Sequence, residues 1–362
     1  MYKQLKTMVL EIIYEDYDIQ KVVTDKGAKR AILYKQITPS AKVGNYILVN
    51  ATATELQLGT GGWDIVCSLL QGNDWISEDS KGHIIKARYT PIQHSVMAVE
   101  AQESTYHEHF TKPFSLSGKP IWLAELHSMV PLFYYVSQEI QAKSRCCIIF
   151  DDQASLPLRL SDQLRVLEKE EGFYSITVGQ AFGGQFEAIT VASALQFAEK
   201  ILHADFILIS VGPGVVGSGT CYGFSGMVLS NWSHVVSALE GIPVWIPRLS
   251  FVESRTRHFG ISHHTMTPFS QFTFRRAMLP FPYLVDQQRQ KIEEQLDAYR
   301  PFQTEHSIHF ASEDRASKLI EQALKKATMP IQTMGRKYEA DPLFFCAVAE
   351  AVKFGLECEK SE

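Results

Sequence analysis

The segment ADFILISVGPGVVGSGT, residues 204–220, decides how the chain folds. Its apolar run FILIS is followed at once by a glycine-rich loop, and then by the helical pattern NWSHVVSALEG at residues 231–241. A strand, a loop and a helix in this order form the repeating unit of a parallel α/β sheet. Asn231 is a preferred N-cap residue and Gly241 a preferred stop, so we expect a helix between them.

The same alternation of strand and helix extends in both directions from this segment. Further apolar strands are predicted at PIWLAEL (120–126), RCCIIFDD (145–152), FYSITVGQ (173–180), IPVWIPRLS (242–250) and SIHF (307–310). Helical segments separate the earlier strands, and two capped helices, from Ser312 and from Asp341, end the chain. The pattern predicts a Rossmann-like, mainly parallel α/β domain with helices on both faces of the sheet.

The first part of the chain has a different rhythm. Short segments that alternate apolar and polar residues predict strands at MVLEIIY (8–14), RAILYKQ (30–36), GNYILVN (44–50), ATELQLG (53–59) and HIIKARY (83–89). A linker-like stretch, FTKPFSLSGKP, follows at residues 110–120. We therefore predict a small antiparallel β-barrel or sandwich over 1–110 and the Rossmann-like α/β domain, with C-terminal helices, over 111–362.

Length and composition limit the class of protein. A chain of 362 residues, 45% hydrophobic and 21% charged, is typical of a soluble protein of two domains. The net charge of −5 and the scattered basic residues argue against an extended nucleic-acid surface. No apolar stretch is long enough to cross a membrane and no signal peptide is evident, so we expect a cytoplasmic location. A homodimer is expected only because homodimers are common.

Polar residues follow each predicted strand of the α/β domain. Glu125 and His127 follow the first strand, Asp151 ends the second, a glycine loop follows the fourth and Arg248 ends the fifth. Parallel strands deliver their carboxyl ends to one edge of the sheet, where ligands of such folds bind. The sequence therefore predicts a ligand site at this edge.

The glycine loop favours an anionic ligand. GPGVVG fits the pattern G-x-G-x-x-G with Gly212, Gly214 and Gly217, and Ser218, Gly219 and Thr220 follow directly. Backbone N–H groups of such a loop can approach a phosphate closely. A Walker loop is excluded because GK[ST] is absent. NAD binding requires an acidic residue at the end of the next strand, but that strand ends in Arg248. An arginine there suits the 2′-phosphate of NADP. The glycine loop is too long for the usual direct entry into a helix, which argues against either cofactor.

The stretch VESRTRHFGISHHTMTP, residues 252–268, carries two arginines and three histidines within ten positions. Arg255 and Arg257 offer forked donors for phosphate or carboxylate. His258, His263 and His264 are candidate acids or bases. The alternative is that the arginines pair with Glu253 or other acids and the histidines bind backbone groups. Arg336, shortly before the last helix, is a further candidate anion contact.

A divalent metal is a second possible occupant. His258 and His263 could bind it, with Asp151 as an oxygen ligand from a neighbouring strand. Adjacent residues such as His263 and His264 point apart in regular structure, so at most two of the histidines are expected to bind together without help from another element. Glu125, or Asp151, is a candidate to orient a histidine or to hold the ion. Glu125 and His127, two apart at a strand end, would face the same way in extended structure.

Several of these motifs also occur together in a known family. AELHS (124–128), GPGVVGSGT (212–220), RTRHFGISHHT (255–265) and TMGRKYEADPLFF (333–345), with LGTGGWDIV (58–66) upstream, resemble a bacterial domain-of-unknown-function family, series number 3866. The resemblance covers nearly the whole chain. It implies a shared pattern around the predicted site and implies no activity.

The residues themselves predict an enzyme that binds a phosphorylated or otherwise anionic small molecule. The backbone from Gly212 to Gly219 would hold the anion, Arg255 and Arg257 would neutralise it, and a histidine would transfer a proton during hydrolysis or group transfer. Two alternatives remain open at this point. One is a divalent-metal-dependent hydrolase, and the other is a non-enzymatic ligand sensor or scaffold.

Overall fold

The computed structural model describes residues 2–58, 62–71, 82–152, 157–299 and 305–359. The chain forms two compact units, Met1–Met97 and Ala98–Glu362. None of the helices in these ranges is long and apolar enough to span a membrane.

The N-terminal unit contains a closed barrel of five strands in the order β1-β2-β3-β5-β4, which confirms the predicted barrel. The strands are β1 (Gln4–Glu15), β2 (Ile19–Thr24), β3 (Arg30–Tyr34), β4 (Tyr46–Asn50) and β5 (Asp64–Leu69), with a one-turn helix α1 (Thr52–Glu55) before β5. Inward-facing side chains such as Val9, Val22, Leu33 and Val49 fill the barrel. A separate pair of strands, β6 (Ile84–Lys86) and β7 (His94–Val96), follows.

The predicted strand at ATELQLG is wrong, because its first half forms α1. The side-chain oxygen of Asn50 accepts from the backbone N–H of Thr52 at 3.0 Å, and Glu55 N–H then donates to the carbonyl of Ala51 at 2.9 Å. Local hydrogen bonds of this kind compete with strand pairing and favour a helical turn. Strands β2 and β5 complete the barrel at segments where the sequence pattern did not predict a strand.

The C-terminal unit alternates strands and helices as predicted. Its strands are β8 (Pro120–Ala124), β9 (Cys146–Asp152), β10 (Phe173–Gly179), β11 (Phe186–Glu187), β12 (Phe206–Ser210), β13 (Ile242–Trp245), β14 (Leu249–Ser250), β15 (Gly260–Ile261), β16 (Met278–Phe281) and β17 (Ser307–Phe310). Its helices are α2 (Met129–Ile140), α3 (Asp162–Leu167), α4 (Val191–Lys200), α5 (Val228–Ala238), α6 (His263–Phe272), α7 (Asp286–Ala298), α8 (Ala316–Lys326) and α9 (Pro342–Glu359).

Eight of these strands form one sheet in the order β11-β10-β9-β12-β8-β13-β16-β17, and the strand pairs within it are parallel. Helices α2, α3 and α8 contribute to one apolar cluster, with most of α9, while α4, α5, α6 and α7 contribute to another. The sheet is therefore covered on both faces, which confirms the Rossmann-like α/β prediction. Its order differs from the usual doubly wound one because β12 lies between β8 and β9.

Three local differences from the sequence prediction have physical causes. β16 was not predicted. Its Pro280 is tolerated because β13 pairs with β16 only at Met278, so the missing N–H of Pro280 costs no bond to β13. Helix α5 begins at Val228, so Asn231 lies inside it rather than at its N-cap. The predicted strand 242–250 is interrupted, and its last two residues, Leu249 and Ser250, pair with β15 instead.

Candidate functional site

The candidate site lies where the helical connections change from one face of the sheet to the other. Strands β9, β12, β8 and β13 are neighbours in that order, and the helices that follow β8 and β9 cover the opposite face from those that follow β12 and β13. At such a change the loops separate and leave a crevice at the carboxyl ends of the strands.

A buried ion pair lies just beyond the carboxyl ends of β8 and β13. Glu125, directly after β8, is 1% exposed, and its Oε1 accepts from Nη1 of Arg248, directly beyond β13, at 3.2 Å. Its Oε2 accepts from the hydroxyl of Thr265 at 3.0 Å. Burial alone would raise the pKa of Glu125, but His264 and Arg248 together outweigh burial and lower it. Glu125 is therefore an anion held in place by its partners.

Above this ion pair, three histidines converge. His258, His263 and His264 each offer one ring nitrogen, and these nitrogens all lie within 4.8 Å of one another. The ring centroids are 4.4 Å apart for His263 and His264, and 4.9 Å apart for His258 and His264. Within the part of the chain that the structure describes, this is the one group of three side chains arranged to hold a metal ion.

The fold of the segment explains why adjacent histidines converge. His263 and His264 are the first residues of α6, and the preceding turn, Thr256–His258, returns the third histidine to the same helix end. Ser262 is the N-cap of α6: its hydroxyl accepts from the N–H of His264 at 3.1 Å and lies 2.8 Å from Nδ1 of His258. One serine therefore fixes both the helix start and the ring of His258.

Neighbouring side chains fix the ring of His264. Phe224 stacks on it with a centroid separation of 4.0 Å and an angle of 5° between the rings. On the other side, Nδ1 of His264 lies 3.6 Å from Oε1 of Glu125 and 3.5 Å from Nη1 of Arg248. These polar distances are long for hydrogen bonds, so stacking sets the orientation of the ring and Glu125 acts on it electrostatically.

Burial keeps His258 neutral, and its hydrogen bonds fix which ring nitrogen carries the proton. Nε–H of Arg257 donates to Nε2 of His258 at 3.2 Å, so Nε2 carries a lone pair and Nδ1–H must donate to Ser262. Burial, followed by the charge of Arg248, lowers the pKa of His258 to about 3. Burial and the neighbouring His264 lower the pKa of His263 to about 4. Neutral imidazoles are the form that binds metals.

The donor set fits a metal ion that prefers nitrogen. A tetrahedral zinc ion with Zn–N bonds of about 2.1 Å requires nitrogens about 3.4 Å apart, so the observed spread closes with side-chain rotations on the order of 1 Å. Nε2 of His263 is buried and has no hydrogen-bond partner among the described residues. The sequence predicted that at most two of these histidines bind together without help from another element; the turn Thr256–His258 is that second element and brings His258 to the start of α6.

The glycine loop reaches the site through Arg257. Gly217 and Phe224 pair across the loop, and Ser218 N–H donates to the carbonyl of Gly223 at 2.8 Å, so the loop forms a narrow hairpin. A Cβ added to Gly219 would lie 3.2 Å from Nη1 of Arg257, which means that the guanidinium rests against the loop backbone. Gly212 is buried, whereas Gly214, Gly217, Ser218, Gly219 and Thr220 are exposed.

Two of the predicted anion-binding arginines already have anionic partners. Arg255 donates to both carboxylate oxygens of Glu253, at 3.0 and 2.8 Å. This contact holds the pKa of Glu253 at about 2. Arg336 donates to Asp341 at 3.1 Å and lies 3.6 Å from Glu253. Their positive charges are thus neutralised within the protein, as the alternative interpretation of the sequence anticipated for Arg255.

Two further candidate residues are held by other partners. Asp151 accepts from Nε1 of Trp232 at 2.6 Å and does not belong to the histidine group. His127 lies 2.7 Å from the hydroxyl of Ser161, and its Nδ1 is buried without a hydrogen-bond partner in the described chain. The chain leaves the strand at Glu125, so Glu125 and His127 do not share the orientation that extended structure would give them.

Sequence reasoning did not identify Phe224, Ser262 and Thr265. A serine directly before a helix is a recognisable N-cap signal, so Ser262 could have been found. No local pattern indicates that Phe224 stacks on a histidine 40 positions away, or that Thr265 donates to Glu125. These contacts depend on the tertiary fold.

Comparison with known proteins gives one match. The family described as Protein of unknown function (DUF3866) matches residues 30–352, so the chain belongs to this family and the resemblance noted from its motifs is confirmed. Neither the curated proteins nor the solved structures contain a match.

Proposed function

We propose that this member of the DUF3866 family is a divalent-metal-dependent hydrolase whose metal ion is bound by His258, His263 and His264. The observation that carries the proposal is the convergence of three imidazole nitrogens within 4.8 Å at the carboxyl edge of the sheet. Of the functions that the sequence left open, this one uses the largest number of side chains that the fold brings together.

The ligand set indicates which metals to expect. Imidazole suits zinc, copper, iron and nickel, whereas magnesium and calcium prefer oxygen ligands. The side chains of Glu125 and Asp151 have other partners in Arg248 and Trp232. We therefore expect zinc, or cobalt in its place, to bind far more tightly than magnesium.

Three protein ligands are typical of a catalytic rather than a structural zinc site, because the fourth position stays open to water or substrate. A bound divalent ion lowers the pKa of such a water to about 7 and so supplies a nucleophile at neutral pH. In hydrolysis the water oxygen bonds to the acyl carbon or phosphorus, and the bond to the leaving group breaks. The leaving group departs with the electron pair and takes up a proton from the water.

The surrounding residues hold the site rather than transfer protons. Glu125 is buried between Arg248 and Thr265 and faces Nδ1 of His264. A carboxylate beside a ligating imidazole raises the basicity of the ring and so strengthens it as a ligand, while Phe224 sets the orientation of the His264 ring. Glu125 and Arg248 are therefore positioning residues in this proposal.

Metal analysis of the purified protein tests the proposal first. After dialysis against a chelator, the protein is titrated with zinc and with cobalt, and the visible spectrum of the cobalt form reports the ligand geometry. One tightly bound ion per chain is expected. The His263→Ala variant should lose it, whereas His109→Ala, at an exposed histidine elsewhere, should keep it. Failure of the unaltered protein to bind either ion contradicts the proposal.

Turnover is measured separately on the zinc-loaded protein. Nitrophenyl esters of acetate and of phosphate report acyl and phosphoryl hydrolysis by colour. Activity that is absent after chelation and restored by zinc supports the hydrolase. Tight metal binding without hydrolysis of any member of a broad ester panel favours the non-enzymatic ligand sensor or scaffold instead.

A further inference from the structure

Arg257 differs from the other arginines of the site in having no acidic partner. Arg248 pairs with Glu125, Arg255 pairs with Glu253, and Arg336 pairs with Asp341. In the described part of the chain, no carboxylate forms an ion pair with Arg257, whose side chain is largely exposed. It is therefore the cation of this site that has charge available for a ligand.

Arg257 lies between the histidines and the glycine loop. Its Nε–H donates to Nε2 of His258 at 3.2 Å, while its Nη1 lies 3.2 Å from where a Cβ on Gly219 would be. Gly219 has φ +77°, a conformation that side chains rarely adopt, and its missing side chain is what lets the guanidinium approach. The same residue thus contacts both parts of the predicted ligand site.

The contact between Arg257 and His258 competes with metal coordination. Because Nδ1 of His258 points to Ser262, Nε2 is the nitrogen that remains for a metal ion. A single lone pair cannot both accept the N–H of Arg257 and bind a metal. Coordination by His258 therefore frees the Nε–H of Arg257, and the positive ion repels the guanidinium from its present position.

The freed guanidinium can pair with an anionic ligand, and the geometry limits which one. It would lie beside the histidine group and beside Gly219, whose backbone N–H donates to no other described residue. Forked N–H donors next to glycine N–H groups suit the several oxygens of a phosphate. A neutral ester would leave this charge without a partner.

We propose that Arg257 recognises a phosphate group bound beside the metal ion, so that the ion and a phosphomonoester substrate bind cooperatively. The inference rests on the proposed metal site and adds the substrate class and the residue that selects it. Metal binding releases Arg257, and phosphate then occupies the released donors. By linkage, phosphate must tighten metal binding by the same factor by which the metal tightens phosphate binding.

Calorimetric titration with inorganic phosphate tests this proposal. The protein is used in two forms, loaded with one equivalent of zinc and treated with chelator, and each variant is compared with the unaltered chain. We expect zinc to tighten phosphate binding by about tenfold or more, since a charge-assisted bidentate contact is gained. Arg257→Ala should lose most of the increase in phosphate affinity that zinc causes. Arg257→Lys should keep part of this increase because it retains the positive charge.

Metal affinity provides the second readout. Arg257→Ala should bind zinc in the absence of phosphate at least as tightly as the unaltered protein does, because a competitor for His258 has been removed. Arg276→Ala, at another exposed arginine, is the matched control and should change neither affinity. Circular dichroism verifies that each variant is folded.

The outcomes separate this inference from the proposed function. If the unaltered protein binds no metal, both fall together. If it binds zinc but Arg257→Ala still binds phosphate with unchanged affinity, the metal site stands and the role of Arg257 is refuted. Equal phosphate affinity with and without zinc refutes the coupling, and so does a loss of zinc affinity in Arg257→Ala.

Discussion

At the scale of single residues, the buried pair of Glu125 and Arg248 supports both stability and the site. Replacing Glu125 with Gln keeps the shape of the side chain but leaves Arg248 buried without its counter-charge. Breaking a buried ion pair from one side typically costs about 3–5 kcal/mol, so we expect Glu125→Gln to be destabilised by about that amount. Its zinc affinity should also fall by roughly 10- to 100-fold, because the ring of His264 loses its carboxylate.

Urea unfolding and zinc titration measure these two effects of Glu125→Gln. The double variant with Arg248→Met removes both charges and should recover much of the stability. It should not recover zinc affinity, since the carboxylate beside His264 is still missing. Unchanged stability in Glu125→Gln contradicts the assignment of a structural ion pair.

His127 should make the protein sensitive to acid. Burial lowers the pKa of His127 to about 4, compared with 6.5 for an unperturbed histidine. The unfolded chain therefore binds more protons than the folded chain between these pH values, and stability is complete above pH 6.5 and declines as the pH falls through 4. His127→Gln removes this contribution. The slope of the unfolding free energy against pH in this window should therefore become less steep, by an amount equivalent to at most one fewer proton taken up on unfolding. Urea unfolding from pH 4.5 to 7.5 measures the slope; an unchanged slope contradicts the prediction.

At the scale of elements, the start of α6 combines helix capping with ring positioning. Ser262→Ala removes the acceptor for the N–H of His264 and the partner of Nδ1 of His258. Loss of an N-cap costs about 0.5–2 kcal/mol, which urea unfolding would detect. Zinc affinity should fall as well, because the ring of His258 is no longer held.

A second serine cap provides the control for Ser262→Ala. Ser161 caps α3 by accepting from the N–H of Leu164 at 3.3 Å and contacts His127, outside the histidine group. Ser161→Ala should therefore lose a similar amount of stability and leave zinc affinity unchanged. Equal effects of both variants on zinc affinity would mean that Ser262 acts only through general stability.

The elements of the α/β unit were largely predictable, because each needs only a local pattern. An apolar run followed by glycines identified β12 and its loop, and Pro342 after Asp341 identified the start of α9. β16 was missed because Pro280 contradicts a strand unless the neighbouring edge is unpaired there. Local patterns therefore locate most strands and helices. They fail where the tertiary environment of a residue, rather than its neighbours in the sequence, determines the secondary structure.

The pairing of residues across the site was not predictable for the same reason. From the sequence alone, Arg255 and Arg257 are indistinguishable, because they lie two positions apart in the same basic stretch. The fold turns the guanidinium of Arg255 to Glu253 and that of Arg257 to His258 and Gly219. Likewise, the carboxylate beside His264 comes from residue 125, and no local spacing relates the two. The sequence could indicate the edge of the sheet, but only the tertiary structure distinguishes the roles of its residues.

At the scale of the whole molecule, metal binding should raise the thermal stability of the chain. The three histidines come from two elements, the turn Thr256–His258 and α6. Their supports come from the residues that follow β8 and β13 and from the loop after β12. An ion bound by the folded protein and not by the unfolded chain adds about 2.7 kcal/mol at 100 times its dissociation constant. Since 1 kcal/mol shifts the Tm by about 2–4 °C in domains of 150–250 residues, and the unit Ala98–Glu362 is slightly larger, we expect zinc to raise the Tm by several degrees.

Scanning calorimetry at rising zinc concentrations measures this shift. The Tm of the unaltered protein should increase with the logarithm of zinc concentration once the site is saturated, whereas that of His263→Ala should stay constant. His109→Ala should follow the unaltered chain. A Tm that rises equally in His263→Ala would show that zinc stabilises the protein from another site, and a Tm that never changes would contradict a metal site that forms only in the folded state.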